Sequence, residues 1–116
     1  EEDPIAAFRL ERQQLRARQE AQLEDIIHAV DGDAGNIARA KAQLMDMMAF
    51  AERELTLEGI LQSRGYEDAL VTVSASSANV MLRRKALTQR ETAVILDLVL
   101  RETGLTAGNV KIIPVK

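Results

Sequence analysis

Residues 64–71 have the sequence RGYEDALV, and the spacing of apolar residues changes across this stretch. Before it, apolar residues recur every three or four positions, which is typical of amphipathic helices. After it, ALVTVSA (69–75) alternates between two faces, which indicates a half-buried strand. Gly65 stands where the left-handed residue that follows a helix belongs. This stretch therefore predicts a junction between a helical part and a sheet, with Tyr66 at the junction.

Two helical regions are predicted before the junction. The first runs from Pro4 to about Val30, with Asp3 as its N-cap and proline at its first position. The turn-forming stretch DGDAGN (31–36) ends it. This stretch superficially suggests a calcium loop, but the glycine and glutamate that an EF-hand requires at its sixth and twelfth positions are missing. We therefore expect a turn and no calcium site.

The second helical region runs from about Ile37 to Ser63. Its apolar residues shift in phase around positions 54 to 58. This shift predicts an interruption, with a new short helix beginning near Thr56 and Gly59 as a weak point. We expect the whole region to cover one face of the sheet.

The chain after the junction predicts strand, strand, helix, strand. ANVMLRR (78–84) alternates like the strand before it, and the short connection between the two favours a hairpin. Thr88 and Glu91 form a capping-box pattern ahead of an apolar helix that Gly104 ends. VKIIPV (110–115) is the last strand, and its proline favours an edge position.

These elements predict an α+β fold in which two helices pack on one face of a three-stranded sheet. We expect residues 1–33 to form a charged amphipathic N-terminal helix and residues 34–116 to form the helix–strand–strand–helix–strand domain. A right-handed crossover passing over the first strand would leave the third strand at an edge. A chain of 116 residues is long enough for one packed unit of this size.

Composition disfavours nucleic acid as a partner. The net charge is −3 and aromatic residues make up only 3% of the chain, whereas nucleic-acid binding needs a basic face and stacking side chains. Residues 1–64 carry 8 basic and 13 acidic side chains and residues 65–116 carry 7 and 5, an asymmetry that fits head-to-tail contact between copies better than nucleic acid. No cysteine is present, so no disulfide framework is expected.

The sequence does not favour an enzyme. His28 is the only histidine and lies one helical turn after Glu24, so we expect a local hydrogen bond or plain exposure for it. Neither a G-x-S-x-G elbow nor a phosphate-binding glycine loop occurs. We therefore expect no cofactor and no metal.

With nucleic acid and catalysis disfavoured, the sequence indicates a protein-binding function, since a sheet edge and a polar helix are suited to protein contacts. We expect three contact regions: the last strand, the second strand with the basic cluster that follows it, and the thin apolar stripe of the first helix. With the junction tyrosine included, the candidate interface residues are Tyr66, Val80, Leu82, Arg83, Arg84, Val110, Ile112, Ile113, Val115, Phe8, Arg12 and Leu15. An ion-pairing role for the basic cluster is the alternative.

The chain resembles the stage III sporulation protein AH family of endospore-forming bacteria. GYEDALV (65–71) carries the most specific part of the resemblance, preceded by a helix that ends in ILQSR (60–64) and followed by ILDLVLRE (95–102). The charged stretch FRLERQQLRARQE (8–20) is similar to the first helix of the family. This chain departs from the family in being rich in arginine, with 11 Arg and 4 Lys.

The resemblance implies a ring-building domain, similar to those in the inner-membrane rings of type III secretion systems. It implies a single-pass protein of the mother-cell membrane, whose anchor is absent from this fragment, with this domain between the mother-cell and forespore membranes. It also implies binding to stage II sporulation protein Q and possible self-association into rings that form a channel. An alternative function is that of a KH-like RNA-binding module, which requires a GXXG loop on a basic face.

Overall fold

The computed structural model describes residues 3–116. Its elements are α1 (Pro4–Ile27), α2 (Ala34–Ser63), β1 (Ala69–Val73), β2 (Ala78–Arg83), α3 (Gln89–Thr103), a 3₁₀ turn (Ala107–Asn109) and β3 (Val110–Val115). The predicted α+β class is confirmed, as is the order of elements after the N-terminal helix. The first helix ends three residues earlier than predicted.

The junction between α2 and β1 has the helix-ending geometry that its glycine predicts. Gly65 has φ of 97°, in the left-handed region. The backbone N–H of Tyr66 donates to the carbonyl of Leu61 at 3.0 Å, and that of Gly65 donates to Gln62 at 3.1 Å. These two bonds make a Schellman motif, which satisfies the last carbonyls of the helix and turns the chain toward the sheet.

We expect Gly65→Ala to lower the free energy of unfolding by about 1 kcal/mol, because a side chain at a left-handed position is strained. Chemical denaturation monitored by circular dichroism measures the change. Gly59→Ala is the matched control, since Gly59 lies inside α2 with nothing within 4 Å of an added Cβ. Removing a glycine from a helix interior is expected to stabilise by about 0.5–1 kcal/mol. Equal effects at both glycines would contradict the expectation.

The predicted interruption of the second helix is wrong, because α2 is continuous over 30 residues. Glu54, Leu57, Glu58 and Leu61 lie at helical spacing on one face, and all four are buried. The apparent phase shift arises because two carboxylates replace apolar residues on the buried face. Their side chains have hydrogen-bond partners there, so the helix needs no break.

The sheet has the strand order β1-β2-β3. β1 pairs antiparallel with β2, and β3 pairs parallel with β2. The predicted crossover over the first strand is therefore wrong, since β2 is the central strand. The connection through α3 returns the chain directly beside β2, as in an ordinary parallel crossover unit. The third strand nevertheless lies at an edge, as predicted.

The core lies between one face of the sheet and the helices α2 and α3. Alternating strand residues enter it together with one stripe from each helix, which confirms the predicted packing of two helices on the sheet. The buried cluster comprises Leu57, Leu61, Ala69, Val71, Val73, Ala78, Val80, Leu82, Ile95 and Val99. The capping box that begins α3 is also present, with both bonds between Thr88 and Glu91 formed.

Candidate protein-binding surface

The outer edge of β1 is closed by side chains. The backbone N–H of Val71 donates to Glu58 at 2.9 Å, and that of Val73 donates to Glu54 at 2.7 Å. Arg12 of α1 donates to the carbonyl of Val71 on the same strand at 2.6 Å. Groups that a neighbouring strand would otherwise pair are therefore already bonded to side chains of α1 and α2.

The closing side chains, here called the edge seal, are Arg9, Arg12, Arg16, Glu54 and Glu58. Arg9 donates to the carbonyl of Ala69 at 3.3 Å and pairs with Asp68 at 3.2 Å, whereas the other four form ion pairs among themselves. Glu54 is only 2% exposed and binds Arg16 through both carboxylate oxygens. Arg12 bridges the two glutamates, at 3.3 Å from Glu54 and 2.9 Å from Glu58. The hydrogen bond to Glu54 raises the pKa of the Arg16 guanidinium. The carboxylates are buried but paired, which is the condition for tolerating buried charge.

The other edge of the sheet, at β3, is open. Among residues 3–116 no further strand follows β3 in the sheet. Pro114 removes one N–H donor from this strand, which limits but does not abolish its capacity to pair. The two edges therefore differ: β1 is closed to strand addition, and β3 is available for it.

An apolar groove lies on the sheet face opposite the core, between α1 and the strands. Its volume is about 650 Å³. The apolar side chains that line it include Phe8 and Leu15 from α1, Met47 and Phe50 from α2, and Met81 and Ile113 from the sheet. Phe8, Leu15 and Ile113 remain substantially exposed. A groove of this kind beside an open strand edge is suited to a protein segment.

The structure brings together four of the predicted interface residues. Phe8, Arg12, Leu15 and Ile113 all line the apolar groove. Arg12 does so while its guanidinium belongs to the edge seal. Val110, Ile112 and Val115 lie on the open strand, and each is partly buried.

The prediction of partner contacts through Val80 and Leu82 requires correction. Both side chains are completely buried in the core, because they point from β2 toward α2 and α3. They offer no surface to a partner. Their alternation predicts a half-buried strand, which is confirmed, but the face that they occupy is the inner one.

Tyr66 covers the junction and is held within the chain. Its hydroxyl donates to Glu91 at 3.2 Å, and the guanidinium of Arg84 lies 4.6 Å from the centre of its ring. Burial, above all, raises the pKa of the Tyr66 hydroxyl. Arg84 in turn pairs with Glu91 at 3.3 Å. Contact of Tyr66 and Arg84 with a partner stays a prediction.

Arg83 also engages carboxylates. It pairs with Asp68 at 2.7 Å and with Asp3 at the start of α1. The hydrogen bond to Asp3, followed by that to Asp68, raises the pKa of Arg83, and the same bond from Arg83 lowers the pKa of Asp3. The alternative role of the basic cluster, ion pairing, is therefore observed at both arginines.

Two features weaken the RNA-binding alternative: the position of the GXXG-spaced stretch and the ion pairing of the arginines. The stretch GDAG (32–35) has the GXXG spacing, but it lies where α2 begins and its Asp33 caps that helix. A carboxylate at this position repels phosphate, whereas a KH-like loop must approach it. The arginines of the edge seal are bound to carboxylates and strand carbonyls, so they form no free basic face.

Other chemistry is sparse in the part of the chain that the structure describes. His28 bonds to Glu24 at 3.0 Å, as its spacing predicts. Across residues 3–116 no group of three or more histidine or carboxylate side chains is placed to hold a metal ion. None of the helices described combines the length and the apolar character needed to cross a bilayer.

A family model described as SpoIIIAH-like protein matches residues 1–112. The chain belongs to the SpoIIIAH-like family.

One curated relative and one solved structure illustrate the relationship. Stage III sporulation protein AH of Bacillus subtilis (strain 168) is 24% identical over 102 residues, which cover 88% of this chain and 47% of that protein. The chain thus spans about half the length of this curated relative. One chain of a solved structure, described as the SpoIIQ-SpoIIIAH pore forming complex, matches with a TM-score of 0.83 and 21% identity. The match covers 98% of this chain and 100% of that chain, and it shows a common fold.

The ion pairs of the edge seal in this SpoIIIAH-like chain are not among the features that the sequence predicts. The sequence pattern around Glu54 and Glu58 predicts a break in the helix, and it assigns no role to Arg16. A usable signal was present, because two glutamates four residues apart replaced apolar residues within an otherwise apolar stripe. Arg12 and Arg16, four residues apart on α1, supply the opposite charges.

Proposed function

We propose that this SpoIIIAH-like chain is a non-enzymatic assembly module of endospore formation, and that it binds stage II sporulation protein Q. One structural observation carries the location of the binding surface: the open edge of the sheet lies beside an exposed apolar groove. The family membership and the fold shared with a chain of the SpoIIQ-SpoIIIAH complex support the choice of partner.

The proposed contact has two parts. An extended segment of the partner pairs its backbone with β3, because this edge of the sheet is the one that side chains leave open. Successive side chains of an added strand point to opposite faces of the sheet. One set therefore lies over the outer face, next to Ile113 and the apolar groove. Burial of Phe8, Leu15 and Ile113 there supplies the apolar part of the binding free energy.

The location of the domain is part of the proposal. It lies between the mother-cell and forespore membranes, held by a single membrane-spanning segment that precedes the part described here. From there it reaches the partner anchored in the opposite membrane. Rings of several copies then build a channel-like structure, in keeping with the ring-building fold that the family resemblance implies.

We expect Ile113→Lys to weaken binding of the soluble domain of stage II sporulation protein Q from the same organism by at least about tenfold. A charge placed in the apolar groove must be desolvated on binding, and central apolar contacts carry most of the free energy of an interface. Val94→Lys is the matched control, because Val94 is 38% exposed and Ile113 is 41% exposed. Val94 lies on α3, away from the groove.

Isothermal titration calorimetry at fixed salt measures the affinity, and size-exclusion chromatography detects the complex. Equal affinities for Ile113→Lys and the unmodified chain would place the contact elsewhere. Absence of any complex with the unmodified chain at tens of micromolar would contradict the choice of partner. Circular dichroism of both variants checks that the fold is retained.

A further inference from the structure

The helix α2 carries a second apolar surface, which faces away from the core. Met45, Met48 and Leu55 are 70%, 66% and 72% exposed. They belong to a row of exposed residues whose spacings alternate between three and four, as the a and d positions of a heptad do. This row, here called the outer stripe, consists of Ala38, Lys41, Met45, Met48, Glu52 and Leu55.

The outer stripe is distinct from the groove described above. Met47 and Phe50 line the groove, and they lie on the side of α2 opposite to the outer stripe at 100° per residue. Ala40 and Leu57, which are buried, flank Met47 and Phe50 on that same side of α2. A molecule bound in the groove therefore leaves the outer stripe free.

The outer stripe is complementary to itself when two copies of α2 run antiparallel. With the two-fold axis between Asp46 and Met47, Met45 of one copy faces Met48 of the other. Lys41 then faces Glu52 of the second copy, which gives two ion pairs of opposite charge. The ends are complementary in size, because the small Ala38 of one copy faces the large Leu55 of the other.

The charges select this orientation. In a parallel pairing in register, Lys41 would face its own equivalent and Glu52 would do the same, which is repulsive. Within residues 3–116 neither side chain takes part in an ion pair, so both are free to pair with a second copy. Opposite charge at symmetric positions is the observation that identifies the occupant of this surface.

We propose that the outer stripe binds a second copy of this chain, with the two α2 helices antiparallel around a two-fold axis. This contact is isologous, so it closes after two copies. It lies outside the surface assigned to stage II sporulation protein Q, and it does not depend on that assignment. The stripe is short, and the dimer accordingly forms in a concentration-dependent equilibrium.

Light scattering over a concentration series tests the proposal. The mass of the unmodified chain is expected to rise from 12.8 kDa toward twice that value as concentration increases. Lys41→Glu and Glu52→Lys are each expected to weaken the dimer about tenfold, because each converts both ion pairs into repulsions. The double variant restores opposite charges and is expected to recover the original affinity.

Matched controls keep the test specific. Lys85→Glu and Glu20→Lys make the same charge changes at exposed positions outside the outer stripe, and they are expected to leave dimerisation unchanged. A chain that stays monomeric at millimolar concentration would overturn the proposal. So would a double variant that is no better than the single ones.

Disulfide trapping tests the orientation. The chain has no cysteine, so introduced thiols are the only ones present. Positions 38 and 55 are about 25 Å apart along one helix, which is too far for a bond within a copy. The variant Ala38→Cys with Leu55→Cys is expected to form a covalent dimer under mild oxidation, whereas Ala38→Cys alone is not. A covalent dimer of Ala38→Cys alone would show parallel pairing and would overturn the proposal.

Discussion

Replacement of Glu54 by alanine is expected to lower the free energy of unfolding by about 3–5 kcal/mol, which is the usual loss when one partner of a buried ion pair is removed. The Glu54 carboxylate accepts from the backbone N–H of Val73 and binds Arg16 through both oxygens. Alanine leaves the N–H of Val73 without its acceptor in a buried strand, and it leaves Arg16, whose side chain is 28% exposed, without its carboxylate. The penalty therefore exceeds that of losing a single hydrogen bond.

Urea denaturation of the full chain measures this loss. Glu20→Ala is the matched control, because Glu20 is exposed on α1, where a substitution is expected to change stability by about 0.5 kcal/mol or less. Glu54→Gln separates charge from hydrogen bonding, since glutamine keeps an acceptor for Val73. We expect it to fall between the other two variants. Equal stability of Glu54→Ala and Glu20→Ala would show that the edge seal contributes nothing.

Replacement of Leu57 by alanine is expected to lower the free energy of unfolding by about 2–5 kcal/mol. Leu57 is completely buried and belongs to the cluster between α2 and the sheet. Its truncation removes apolar contacts and leaves a cavity that helices and strands on both sides cannot readily fill. The effect is separate from that of Glu54, because it acts through packing and not through charge.

Leu57→Met is the control for this second prediction. Methionine has nearly the same volume, and such exchanges usually cost less than about 1.5 kcal/mol. Thermal unfolding followed by circular dichroism compares the two variants under one set of conditions. If both lose stability equally, shape rather than cavity volume determines the cost at this position.

Local chemistry made much of the fold predictable. Gly65 predicts the end of α2, since few residues other than glycine adopt its backbone conformation without strain. Thr88 and Glu91 predict the start of α3, because each caps a backbone donor of the other. The alternation in 69–75 and 78–84 predicts two strands with one buried face. In each case the residues that carry the signal lie within a few positions of the structure that they determine.

Tertiary contacts account for what was missed. The continuity of α2 depends on arginines about 40 residues away, which pair with Glu54 and Glu58. The position of β3 beside β2 depends on how α3 packs, and the strand sequences do not encode it. The same holds for the candidate binding surface. The sequence indicates Phe8 and Ile113 as contact residues on separate elements, but their meeting in one groove depends on the three-dimensional arrangement.

The difference between the two sheet edges limits what strand addition can build. A fibril grows by adding strands indefinitely, so each incoming chain must present a fresh edge after it has docked. This chain has a single open strand edge, at β3, and the first strand that docks there occupies it. Two copies that met there would stop at a pair, and a copy already holding a partner's strand could accept no further strand. The arginine–glutamate layer on β1 thus blocks strand addition at that edge, which prevents amyloid-like polymerisation even where many copies are crowded together.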